Sequence, residues 1–283
     1  MRQEFKPFAI YPYATSSRVK QRLLTESGYN FVKSRNFTDA VGKAEKKNPL
    51  ILNDNDHENP VVLGIARRKA RGLADYSRLV ATFGGTYIPL VVNDTVWNFS
   101  FNHGQDKTRT IINKPETEED GKIIKKFYKE AKGALVYSSA GLAVAVPDTE
   151  NPIPYSMLTK LRVGQWLGNV PETYQPNPDF SLGIDIITAL KEGHIDPHGE
   201  MKFELIYFDD SNASRIKGFS VRRQLNFEMR LPYTGTEENL ALVKSLSSGI
   251  IPPEIFEELH LITGKKYLFP QFADNGLDSK RGN

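Results

Sequence analysis

Residues 201–231 read MKFELIYFDDSNASRIKGFSVRRQLNFEMRL. Met201, Phe203, Leu205 and Tyr207 alternate with Lys202, Glu204, Ile206 and Phe208, and Asp209-Asp210-Ser211-Asn212 supplies side chains that favour turns. The return run is clearer still. Phe219, Val221, Leu225, Phe227, Met229 and Leu231 share one face, with Arg223 the only intruder, against Ser220, Arg222, Gln224, Asn226, Glu228 and Arg230 on the other. A sustained period of two predicts a β-hairpin. From Gly218 to Leu231 the second strand would span about 46 Å at about 3.3 Å per residue. Such a strand can bend at a bulge near Arg222-Arg223, run along one sheet, or add to a neighbouring chain's sheet.

The segments around the hairpin read as a mixture. Thr236 is placed to cap a helix over 237–246, and Pro252-Pro253 precedes a second over 254–263. Upstream, Trp166 lies between two proline-punctuated stretches, Pro147 to Pro154 and Pro171 to Pro178, and the segment reads as a linking element. Ala134 to Val146 reads as a strand pair turning near Ser139-Ala140-Gly141. Thr117 to Lys132 has acids at its start and lysines after them, which predicts a helix burying Ile123, Phe127 and Ala131. Strands are predicted over 86–92, 96–101 and 108–112, with turns at Asn93-Asp94 and over 103–106, and helices over 17–27, 38–47 and from Arg67 to about Val80. Hairpins outnumber strand-helix-strand units, so the expected class is α+β, a predominantly antiparallel sheet with a long β-hairpin (about 201–231) and several peripheral helices. The proline-rich connection suggests a mixed, basic region over 1–150 and a hairpin-rich region with two terminal helices over 151–283.

The chain has 283 residues, 25% charged and 39% hydrophobic, which excludes collagen-like and wholly disordered classes. It has no cysteine, which excludes disulfide scaffolds, Cys-ligated zinc and thiol nucleophiles. The longest apolar runs, such as Ala134 to Val146, stop well short of about 18 residues, so no membrane partner is expected. Nothing at the N-terminus resembles a basic-then-apolar leader, and cytoplasmic synthesis is the expectation. The net charge of +3 conceals an asymmetry: residues 1–150 hold 23 Lys and Arg against 17 Asp and Glu, and residues 151–283 hold 14 against 17. Basic side chains interleaved with aromatics would suit single-stranded nucleic acid, while a core of aromatics under a solvated lysine face explains the same pattern. Arg67, Arg68, Lys69 and Arg71 form the densest basic cluster.

Two constellations carry possible chemistry. Pro178-Asp179 is followed by Glu200-Met201-Lys202, which resembles the pattern of the PD-(D/E)xK nuclease superfamily. The resemblance implies Asp179 and Glu200 on a magnesium ion, with Lys202 positioning the attacking water and offsetting phosphate charge. His194, Asp196, His198 and Glu200 recur at spacing two and would share one face of a regular strand, as metal ligands could, but Pro197 and Gly199 favour a turn there. There is no Gly-x-Ser-x-Gly elbow, nucleotide-binding glycine loop or calcium loop with its central glycine.

The leading expectation is therefore a non-enzymatic structural subunit of a large assembly, such as a bacteriophage particle, made in the cytoplasm and incorporated into a virion. It would form homo-oligomers and meet neighbouring structural chains through sheet edges and termini. Arg67, Arg68, Lys69, Arg71, Arg222 and Arg230 would contact those partners or nucleic acid, and no cofactor is expected. The alternatives are a Mg2+-dependent nuclease using Asp179, Glu200 and Lys202, and a non-catalytic nucleic-acid-binding protein using the basic first half.

Overall fold

A computed structural model describes residues 12–15, 17–32, 50–54, 64–67, 90–102, 106–112, 117–145, 153, 155–170, 186–209, 223–252 and 255. In chain order its elements are β1 (Tyr13–Ala14), α1 (Arg18–Glu26), β2 (Phe31–Val32), β3 (Ile51–Asp54), β4 (Leu90–Asn102), β5 (Asp106–Ile111) and α2 (Glu118–Glu130). There follow β6 (Leu135–Ala145), β7 (Tyr155–Trp166), α3 (Ile186–Lys191), β8 (Ile195–Asp196), β9 (Glu200–Asp209), β10 (Arg223–Pro232) and α4 (Glu237–Ser247). Among the described residues all ten strands join one sheet, ordered β10-β9-β7-β6-β4-β1-β2, with β5 on β4, β3 on β5 and β8 on β7. Among the described strands only β1 pairs in parallel, with β2 and with β4. The class is α+β. β6 and β7 pair from Leu135↔Gln165 to Ala143↔Ser156, so one sheet continues on both sides of residue 150.

The helices form where their caps are written. Ser17 Oγ accepts from the Lys20 N–H, and α1 stops before Gly28, whose φ of +72° suits a residue without Cβ. α2 opens with a reciprocal capping box: Thr117 Oγ1 accepts from the Asp120 N–H at 3.1 Å, and Asp120 Oδ2 accepts from the Thr117 N–H at 3.0 Å. Its buried stripe is Ile124, Phe127, Tyr128 and Ala131, and Ile123 is left 43% exposed. Phe127 and Ala131 are thus buried as expected, and Ile124 takes the place expected for Ile123. Tyr128 lies 4.8 Å from the Trp166 ring, and Phe127 meets Phe99 edge-on at 4.9 Å. Those aromatic contacts set the helix's rotation.

All four labelled helices contribute to a single core on one face of the sheet, with Leu24, Ile124, Ala189 and Val243 among its members. The opposite face of the central strands is also buried. Val92, Ala143 and Ala145 lie against Ala66, in the helical turn at 64–67, and Ile153; Val96, Leu158 and Ile206 form a separate cluster.

Burial on both faces explains three departures from the expected elements. Asn93-Asp94 is not a turn but lies within β4, because Asn93 reaches a tertiary partner: its amide donates to the Ser248 and Gly249 carbonyls at 3.0 and 3.3 Å and its oxygen accepts from Lys20 Nζ at 3.1 Å. Ser139-Ala140-Gly141 does not reverse the chain either. β6 runs straight through it, paired to β4 on one edge and β7 on the other. Trp166 is not in a linker; it ends β7, fully buried, and its indole N–H donates to the Tyr128 carbonyl at 2.7 Å.

The hairpin strands pair as expected, from Leu231↔Met201 to Arg223↔Phe208, with a register shift between Arg223 and Leu225. The expected helix over 38–47, most of the helix from Arg67, most of that over 254–263, and residues 210–222, which include the expected turn and the first part of the expected second strand from Gly218, lie outside the described residues. Among the described residues no helix is long and apolar enough to cross a membrane.

β8 can approach β7 only because residue 164 is glycine. A Cβ on Gly164 would overlap the Asp196 carbonyl oxygen and lie 2.7 Å from the Asp196 carbonyl carbon and from Pro197 Cα. Gly164→Ala is therefore expected to lower the unfolding free energy by about 3 kcal/mol in urea denaturation. Gly193→Ala is the comparison. Its φ is +70° and no atom lies within 4 Å of the added carbon, so its cost is only the left-handed backbone penalty of about 1 kcal/mol.

Candidate functional site

Away from the doubly buried centre, the face of β7, β9 and β10 opposite the helices becomes charged. The pleat puts Glu200, Lys202 and Glu204 of β9 on this face, and the register sets Lys202 between Arg162 of β7 and Arg230 of β10. One step along, Glu204 lies between Lys160 and Glu228. A cationic row thus borders a row holding two acids. Lys202 Nζ joins them, 2.7 Å from Glu204 Oε1 and 2.8 Å from Glu228 Oε2, and Arg230 Nη1 lies 3.6 Å from Glu200 Oε2. The hydrogen bond to Glu204, followed by that to Glu228, holds the Lys202 ammonium above its ordinary value of 10.5.

This geometry bears on the nuclease-like residues. Glu200 and Lys202 share a face as the spacing requires, but Glu200 faces Arg230 and Lys202 is held by two other carboxylates. Asp179 lies outside the described residues.

The histidine segment divides into two separate pairs. His194 is buried against Trp166, with ring centroids 6.0 Å apart, and its Nε2 lies 2.9 Å from Glu192 Oε2. His198 Nδ1 lies 3.3 Å from Asp196 Oδ2, while Asp196 Oδ1 accepts the His198 backbone N–H at 2.9 Å. Ile195–Asp196 pairs with β7, and the turn through His198 (φ +51°) and Gly199 (φ +73°) breaks the common face that a regular strand would have provided. Among the described residues no group of three or more His, Asp and Glu side chains is placed to hold a metal ion.

Two of the six expected basic contact residues, Arg67 and Arg230, are described. Arg67 donates from Nε and Nη2 to Ser156 Oγ at 3.1 and 2.9 Å. Arg68, Lys69, Arg71 and Arg222 lie outside the described residues. Among the described ones, Arg230 is placed on the β9–β10 face. Sequence reasoning missed Glu204, Glu228, Lys160 and Arg162. The period-two pattern already set Lys202 with Glu204, and Glu228 with Arg230, but only the strand register brings these pairs together.

Among the described residues β10 ends the sheet: it pairs with β9 alone, and Glu228, Arg230 and Pro232 are exposed. No protein-family model matches the chain, and no curated protein matches it.

Lys202→Met removes the cation and leaves Glu204 and Glu228 opposed, which is expected to lower stability at pH 7 by about 1 kcal/mol in urea unfolding. The wild-type chain holds the lysine's contribution below pH 10.5 and loses it as the pH rises through the higher folded-state value. The unfolding curves of the two proteins should therefore converge as the pH climbs past 10.5.

Proposed function

We propose that the chain is a non-enzymatic structural subunit of a large macromolecular assembly, of the kind a bacteriophage particle contains, and that it joins copies of itself and neighbouring structural chains through sheet edges and termini. The observation that carries this reading is β10: a strand of 10 residues that closes the sheet with β9 on one side and no described strand on the other. Strands of globular proteins average about 5–6 residues, and a long edge is a template for another chain.

The charged face supports the same reading. Its acids and bases are interleaved across strands, so they stabilise the hairpin's pairing and do not concentrate one sign of charge for phosphate. A nuclease lysine would have to leave two carboxylates before it could meet a phosphate.

The test is the solution mass of the purified chain by light scattering over a range of concentration and salt. A discrete ring-sized or polymerising species is expected. A strict monomer or dimer at every concentration overturns the reading. Magnesium-dependent DNA cleavage that disappears in Asp179→Ala would put the nuclease in its place, and DNA binding that falls steeply with salt and vanishes on charge reversal of Arg67 to Arg71 would favour the nucleic-acid binder.

A further inference from the structure

We propose that the partner at the β10 edge is a second copy of the same strand, paired antiparallel about a two-fold axis at Met229. This rests on the assembly reading above and names its contact.

The backbone determines which residues face the edge. The Tyr233 N–H donates to the Gly199 carbonyl at 2.9 Å, one step beyond the pairing of Pro232 with Glu200. Backbone groups alternate along an antiparallel strand, so Leu231, Met229 and Phe227 turn theirs toward β9, as Tyr233 does. Glu228 and Arg230 turn their N–H and C=O groups to the outer edge. Pro232, next in that series, has no N–H and ends the row of donors.

The side chains select the register. Two copies continue the sheet with their core faces on the same side only when odd-numbered residues oppose odd and even oppose even. An axis at Glu228 would set that acid against itself, and one at Arg230 would set two guanidinium groups against each other. An axis at Phe227 leaves Glu228 opposite Asn226. With the axis at Met229, Glu228 opposes Arg230 of the second copy and Arg230 opposes Glu228 of the second copy. Phe227 then opposes Leu231, both core-facing and buried in the single chain.

The backbone agrees with that choice. The Glu228 N–H donates to the Arg230 carbonyl of the second copy, the Arg230 N–H donates to the Glu228 carbonyl, and the axis repeats both bonds. Within its own chain Glu228 touches Lys202 and Arg230 touches Glu200, yet their side chains remain 52% and 74% exposed. The resulting contact is isologous and closed.

The natural absence of cysteine makes the register directly testable. Met229 faces itself across the axis as a non-hydrogen-bonded pair with Cα atoms about 4.5 Å apart, within the range a disulfide spans. Met229→Cys under mild oxidation should give a covalent dimer, forming roughly tenfold faster than from Phe227→Cys, which is two residues off the axis. A second test leaves the core untouched. Glu228→Arg alone and Arg230→Glu alone each place like charges in opposition and should weaken self-association roughly tenfold. An equimolar mixture of the two variants restores opposite charges and should recover the wild-type mass in light scattering.

If the wild-type chain self-associates but Phe227→Cys cross-links as fast as Met229→Cys, or the mixture fails to recover, the register is wrong while the assembly reading stands. If the wild-type chain is monomeric throughout, the assembly reading fails and takes this contact with it.

Discussion

Strand β6 has a strand on each edge and cover on each face, and this double burial governs the rest of the structure. From Ser138 to Ala145 every residue of β6 is buried. A strand so placed needs small side chains where layers approach closely, and any polar group it carries must find a partner inside. Both conditions are met. Gly249, in the turn after α4, comes so near that a Cβ there would lie 2.6 Å from Ala140 Cβ. Ser138 Oγ donates to the Ser247 carbonyl at 2.8 Å on the helix side, and Ser139 Oγ accepts from Asn98 at 2.8 Å on the other, where Asn98 in turn accepts from Thr110. An unmatched group at any of these places would cost about 1–3 kcal/mol, so the serines fix which residues can lie above and below the sheet.

From β6 toward β10 the same rule gives way to amphipathicity. β7 is buried along most of its length but presents Lys160 as half-buried and Arg162 as exposed. β9 alternates buried Met201, Phe203 and Leu205 with the half-buried charges of Lys202 and Glu204. Once one face meets water, charge is affordable there, and cross-strand pairing is the cheapest way to place it. Lys202 illustrates the consequence. Two carboxylates fix its ammonium between adjacent strands, which adds to the hairpin's pairing and removes the lysine from the pool of groups available to an incoming phosphate.

These gradients also mark what could be read from the chain. The hairpin was legible because one buried and one wet face impose a period of two, and α1 and α2 were legible because their caps are local. β4 and β6 were not. Their interiors contain Asn93-Asp94 and Ser139-Ala140-Gly141, residues that locally favour turns and are kept extended by partners far along the chain, Ser248 and Ser247 among them. Doubly buried strands also lose the alternation that announces a strand. The one-residue error in the α2 stripe has a similar origin, since both Ile123 and Ile124 suit a helical face and only contact with Trp166 and Phe99 chooses between them. At the charged face, residue identity was legible and adjacency was not, because Glu228 reaches Lys202 only through a register set by the whole hairpin.

The edge strand combines these constraints. β10 must be amphipathic to serve its own core, so its outer edge inherits alternating apolar and charged positions whether or not anything binds there. What is particular to it is the order of the charges. Glu228 and Arg230 are of opposite sign and flank a central Met229, an arrangement that complements itself on rotation by a half-turn. The same order creates clashes in the neighbouring registers centred on either charge, so it discriminates as well as attracts. Pro232 limits the donor row on one side, and the register shift between Arg223 and Leu225 disturbs the ladder on the other. The usable edge is therefore bounded at both ends. A bounded two-fold contact is satisfied by one partner, so any assembly larger than a pair must grow from a different surface of the chain.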